Sequence, residues 1–210
     1  MTNEGKAAFV NAITFARLPL IFLWAFLAIW HEFSSSIAVV VFAALSMLIA
    51  GLTDLWDGKL ARKWGVVSAL GKMADPLMDK VFYIVAFPTL SWQILHQGDS
   101  EFHALAMLAF TILYMLRDTW VTFLRAVGAS HGADGAAMWL GKVRTALSFP
   151  GAGWVYAYLA LRRYCPDAWH SYWLYTCYAV EAFLALLTIY SLFSYTRAYA
   201  PYLYAALARK

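Results

Sequence analysis

Asp54, Asp57, Asp75 and Asp79 are the residues of this chain best placed to do chemistry. They stand as Asp54-x-x-Asp57-Gly58-x-x-Ala61-Arg62 and, eight residues later, Gly71-x-x-x-Asp75-x-x-x-Asp79. Within each pair the spacing is three or four residues, which puts both carboxylates on one face of a helix. Hard oxygen ligands of this kind suit Mg²⁺, Mn²⁺ or Ca²⁺ rather than zinc. Four facing carboxylates cannot all stay ionised without cations between them. A pair of such ions could clamp a diphosphate and stabilise charge on a leaving phosphate. One carboxylate could take the proton of an incoming hydroxyl. Gly58, Ala61 and Gly71 clear side-chain volume beside the acids, as a bulky ligand approaching the backbone requires. Balancing Lys59, Arg62, Lys63 and Lys72 would occupy one or two of the acids and leave the others unexplained.

The elements that must position these acids are membrane helices. Hydrophobic residues make up 63% of the 210-residue chain and charged residues 13%, far from globular averages. The expected fold is an all-α integral membrane protein, a single domain over 1–210. Apolar runs of about 20 residues place six transmembrane helices near Val10–Trp30, Ser36–Leu60, Gly71–Leu95, His103–Arg125, Leu140–Leu161 and Tyr172–Tyr195. Aromatic residues, 18% of the chain, suit belts at two membrane interfaces. With the N-terminus in the cytoplasm, Lys6, Arg17, Lys59, Arg62, Lys63, Lys72 and Lys80 all fall at inner ends, as do Arg117, Arg125, Lys142, Arg144, Arg197, Arg209 and Lys210. Only Arg162 and Arg163 lie outside. This bias orients the acids toward the cytoplasmic face of a cell membrane. The length of the first run, with Arg17 and Pro19 inside it, favours a retained helix over a cleaved signal. Cys165 and Cys177 sit at different depths and are expected to be unpaired.

The turn between the second and third helices centres near Gly65–Val67. Counted from Val66, Asp57 and Asp75 are equally far from it, and Asp54 and Asp79 match to within a residue. An antiparallel hairpin would therefore layer the four acids in two tiers beneath Ala61 and Gly71.

The string from Asp54 to Asp79 matches every defining position of the CDP-alcohol phosphotransferase signature, D-x2-D-G-x2-A-R-x8-G-x3-D-x3-D. The chain resembles that family. The resemblance implies six transmembrane helices, a homodimer, and a cytoplasmic active site that transfers a phosphatidyl or similar group from a CDP-linked donor to an alcohol, releasing CMP. It implies that Asp54, Asp57, Asp75 and Asp79 ligate two Mg²⁺ or Mn²⁺ ions and that Asp79 is the base. It also implies that Asp54, Asp57, Gly58, Ala61, Arg62, Gly71 and Asp75 form the nucleotide site.

Weaker similarities extend toward the bacterial phosphatidylglycerophosphate synthases. Asn11-x-Ile13-Thr14-x-x-Arg17 looks like their N-x-L-T-x-x-R opening, which implies that Asn11, Thr14 and Arg17 lie near the donor phosphates. The run Gly71–Lys80 is similar to their G-K-x-x-D-P-x-x-D-K, and Leu140–Thr145 to their L-G-K-x-K-T with Arg144 for lysine. Arg117-Asp118 stands where that subfamily commonly has Arg-Glu, and Ser148 where it has glutamine. Arg117 lies eight residues, or about 12 Å, inside Arg125 along one helix. An arginine at that depth marks a pathway or partner. Arg117, Arg125, Lys142 and Arg144 could bind an acceptor phosphate such as that of glycerol 3-phosphate. Alternatively, Arg117 pairs with Asp118 or Glu181, while Arg125, Lys142 and Arg144 obey the positive-inside rule. His31, His96, His103 and His170 read as interfacial anchors.

The expected activity joins CDP-diacylglycerol, held with its chains in membrane lipid, to glycerol 3-phosphate. Phosphatidylglycerophosphate and CMP would be the products. The same chemistry with inositol phosphate, serine or phosphatidylglycerol is the near alternative. A cation transporter would use such acids differently, with broken helices or repeats near midplane that this chain does not show. No soluble basic domain points to nucleic acid.

Overall fold

The computed structural model describes residues 2–34, 36–98, 100–133 and 139–208, with the side chain of Lys72 excepted. Arg209 and Lys210, counted above among the inner basic residues, lie outside the described residues. The described residues form six helices and no strand: α1 (Asn3–Ser34), α2 (Ile37–Trp64), α3 (Ala69–His96), α4 (Glu101–Ser130), α5 (Trp139–Leu161) and α6 (Asp167–Ala208). Each apolar run read from sequence falls on one of them. Four, α1, α2, α4 and α6, are long and apolar enough to cross a membrane. In α3, by contrast, Lys72, Asp75, Asp79 and Lys80 occupy the first three turns, and α5 has only 23 residues and opens with Lys142 and Arg144. Phe22, Phe26, Leu48, Ile112, Leu186 and Phe193 are among many large apolar side chains left exposed, as lipid-facing residues are.

The helices fall into two compact units, Met1–Leu105 with Leu159–Tyr164, and Ala106–Tyr158 with Cys165–Lys210. In the first unit α1 is the common partner against which both α2 and α3 lie. Its buried stripe runs Val10, Thr14, Arg17, Ile21, Trp24, Ala28, His31. That four–three alternation keeps one seam facing a neighbouring helix. On α2 the buried stripe is Val40, Ala43, Met47, Ala50 and Asp57. Its small residues let two backbones approach closely, and it ends on a carboxylate.

Gly65 closes α2 in the left-handed region at φ 66°, a conformation most residues reach only with strain. Its N–H donates to Arg62 O, and Val66 N–H donates to Ala61 O at 3.0 Å. Ser68 then caps α3, its Oγ accepting from Gly71 N–H at 2.9 Å. The turn is where the sequence places it. The register counted α2 and α3 alone; α1 packs against both, and residues of α2 and α3 border one cavity with it.

About 22 Å along α1 from Arg17, a second polar cluster fills the first unit. Glu32, its side chain fully buried, accepts from Gln93 Nε2 at 3.1 Å and Gln97 Nε2 at 2.7 Å, and pairs with Arg163 at 2.8 Å. Gln97 also reaches Leu159 O, and Arg162 donates to Gln97 Oε1. His31 beside this cluster and His103 in the first turn of α4 are both buried, so the expectation that they anchor at an interface is corrected. The stripe on α1 turns His31 inward. His96 is exposed and stacks on Trp92, in keeping with the interfacial reading.

Candidate active site

The seam between α1 and α2 brings the first acid to its partners. Asp57 is buried, and its Oδ2 accepts from Thr14 Oγ1 at 2.8 Å and from Arg17 Nη2 at 3.0 Å. The same Arg17 Nη2 lies 2.8 Å from Asp54 Oδ1, and Arg17 Nη1 lies 3.8 Å from Asp79 Oδ1. One guanidinium, 4% exposed, therefore links acids from two helices. Asp54 and Asp79 are open to solvent at 47% and 41% of their side chains, so the acids form a wall that is buried on the α1 side and accessible on the other.

Next to this wall is a cavity of about 280 Å³, lined by Asn11, Thr14, Asp57, Gly58, Ala61, Arg62, Gly71 and Asp75, with Val10, Val67 and Ser68 completing it. Most of the residues assigned to nucleotide and donor phosphate from sequence thus surround one space. Asp54 and Arg17 border it through Asp57 rather than lining it. Ser68 is a site residue the sequence reading did not single out. Its Oγ donates to Asn11 Oδ1 at 2.8 Å while capping α3, so it ties the first and third helices at the cavity. A serine three residues before the signature glycine, at a helix start, was the available signal. A Cβ on Gly71 would stand 3.1 Å from that Oγ and 3.4 Å from Asn11 Oδ1.

Among the described residues, no three acid, histidine or cysteine side chains converge on a single point as they stand. Their oxygens are drawn to Arg17. The donor set is nonetheless of the right kind for a hard cation: carboxylates only, two of them reachable from solvent.

In the second unit, Asp118 receives two arginines. Arg117 Nη1 lies 2.9 Å from Asp118 Oδ1, and Arg144 Nη2 pairs with the same oxygen. Arg117 is 5% exposed and Arg144 1%. Tyr195 lies against one guanidinium at 4.9 Å and Tyr114 against the other at 3.8 Å, and Arg117 also donates to Ser191 Oγ. Of the proposed acceptor group, Arg117 and Arg144 are thus brought together. Arg125 is half-buried farther along α4 and Lys142 is exposed at the start of α5. The pairing of Arg117 with Asp118, read as an alternative, is present; Glu181 is half-buried on α6.

The sequence model of the CDP-alcohol phosphatidyltransferase family matches residues 8–190. The chain belongs to this family. Its CDP-alcohol phosphatidyltransferase relatives include a CMP-forming cardiolipin synthase of Streptomyces coelicolor, 26% identical over 175 residues, covering 78% of this chain and 76% of that protein. The CDP-diacylglycerol–glycerol-3-phosphate 3-phosphatidyltransferase of Escherichia coli K12 is 28% identical over 156 residues, covering 74% and 77%. The matching enzyme of Shigella boydii gives the same figures. The signature acids that Arg17 gathers all lie inside the matched region. This CDP-alcohol phosphatidyltransferase is therefore a transferase of phospholipid biosynthesis.

Proposed function

We propose that this CDP-alcohol phosphatidyltransferase transfers the phosphatidyl group of CDP-diacylglycerol to glycerol 3-phosphate, forming phosphatidylglycerophosphate and CMP. The observation that carries the reading is the cavity of about 280 Å³ bounded by Gly58, Ala61, Gly71, Asp57 and Asp75. A nucleotide seated there would have the acids at its phosphate end. Asn11, Thr14 and Arg17 would lie beside the donor phosphates, with Arg62 at the edge of the nucleotide. Two Mg²⁺ or Mn²⁺ ions held by Asp54, Asp57, Asp75 and Asp79 would supply the charge stabilisation that a leaving phosphate needs. Asp79, accessible to solvent, would take the proton of the acceptor hydroxyl.

Arg117 and Arg144, with Arg125 and Lys142 nearer the helix ends, would receive the acceptor's phosphate. In this reading all six helices cross an inner membrane, the acids face the cytoplasm, and the working form is a homodimer. The Lys/Arg distribution supports the orientation. The donor's acyl chains would stay in lipid while CMP leaves to water.

A second reading takes phosphatidylglycerol as acceptor, giving a cardiolipin synthase. The Streptomyces coelicolor relative favours it. Purified protein supplied with CDP-diacylglycerol and Mg²⁺ or Mn²⁺ would be given glycerol 3-phosphate, phosphatidylglycerol, inositol phosphate and serine in turn. CMP release with glycerol 3-phosphate alone is expected. Release only with phosphatidylglycerol would transfer the assignment to the second reading, and turnover unaffected by chelator would remove the ions.

A further inference from the structure

Arg17 sits where its charge is matched and its hydrogen bonds are not. Nη2 serves both Asp54 and Asp57, and Nη1 lies 3.8 Å from Asp79, outside hydrogen-bond distance. Nε and Nη1 have no hydrogen-bond partner although the residue is 4% exposed. A buried donor left unmade is costly, and a guanidinium offers five donors in a fixed fork suited to carboxylates and phosphates alike. The position on α1 is not incidental. Arg17 occupies the seam between Thr14 and Ile21, so its stem is held by helix packing while its head reaches acids from α2 and α3.

We infer that Arg17 is an exchangeable internal counter-ion: in the ligand-free protein it stands in for divalent cations among Asp54, Asp57 and Asp79, and it passes to the donor diphosphate when cations enter. This rests on the reading that the four aspartates hold divalent ions. Two such ions would neutralise the carboxylates outright and leave a buried guanidinium without a counter-charge. A diphosphate arriving with the ions supplies that charge and the acceptors that Nε and Nη1 lack. Cation and nucleotide binding are thereby coupled through one side chain, and such coupling is reciprocal. Arg17 is in this sense a positioning residue, since it keeps the acids gathered and charge-balanced before any ligand is present.

The test is Mn²⁺ binding, followed by electron paramagnetic resonance on the full chain in detergent, with and without CDP. In the absence of nucleotide, Arg17→Gln is expected to bind Mn²⁺ at least tenfold more tightly than the unaltered protein. Arg17→Lys, whose single ammonium cannot fork between carboxylates, is expected to gain several-fold. CDP should tighten Mn²⁺ binding in the unaltered protein by a larger factor than in Arg17→Gln. If each variant that retains its helical circular dichroism binds nucleotide-free Mn²⁺ no more tightly than the unaltered protein, the counter-ion role is overturned. If the unaltered protein binds no Mn²⁺ even with CDP, the metal reading fails and this inference with it.

Discussion

Arg163 Nη2 lies 2.8 Å from Oε2 of Glu32, whose side chain is wholly buried. This ion pair explains an irregularity in the charge pattern. Arg162 and Arg163 are the basic residues that break the one-sided distribution, and both are engaged inside the first unit, one with Glu32 and one with Gln97. An internal partner, not the membrane potential or lipid charge, accounts for their place.

Glu32→Gln keeps the shape and removes the charge. The cost is expected to be about 2 kcal/mol, below the full penalty for breaking a buried pair because Arg163 is 34% exposed. Thermal unfolding in detergent should shift downward while kcat and KM for the donor stay the same. A fall in kcat without a change in melting would place Glu32 in the reaction instead.

Asp79→Asn is expected to lower kcat by about 10²–10⁴-fold, the usual contribution of a positioned proton acceptor. CDP-diacylglycerol binding, measured directly, should stay within a few-fold. Retained turnover would remove Asp79 from the base role.

Two glycines separate backbone freedom from cavity space. Gly71→Ala would place a methyl 3.1 Å from Ser68 Oγ and 3.4 Å from Asn11 Oδ1, so KM for the donor should rise roughly tenfold, equivalent to about 1.4 kcal/mol. Gly65→Ala meets nothing within 4 Å but must hold φ 66°, so it should cost about 1 kcal/mol of stability and leave donor KM alone. The paired measurement is donor KM and melting temperature on both variants.

Asp118→Asn leaves Arg117 and Arg144 buried without their shared carboxylate. The expected loss is about 3 kcal/mol in unfolding free energy. KM for glycerol 3-phosphate should rise several-fold while donor KM is unchanged. Equal changes in both would argue that Asp118 supports only the fold.

Much of the site was legible because it is local. Asp54, Asp57, Asp75 and Asp79 sit at helical spacings on either side of a glycine-closed turn, and the residues chosen for their small volume do border the cavity. What was not legible is long-range. Arg17 meets Asp54 and Asp57 across a gap of some forty residues, and no local pattern says whether an arginine facing such acids binds them or a phosphate. The four–three stripe from Val10 to His31 held part of the answer, since it turns Thr14, Arg17 and His31 inward together. The same stripe would have warned against reading His31 as an interfacial anchor. Arg144 and Asp118 are 26 residues apart and join only through tertiary packing. The hairpin register counted two helices where three take part, since α1 packs against both and carries Arg17 to the acids.

That third participant has a consequence for biogenesis. Arg17 on α1 is synthesised first, the acids follow on α2 and α3, and every residue bordering the cavity has emerged by Asp75. Chains begin to fold from the N-terminus as they are made. Each acid is therefore made after the cation it meets, and no nascent intermediate has to gather the carboxylates without Arg17.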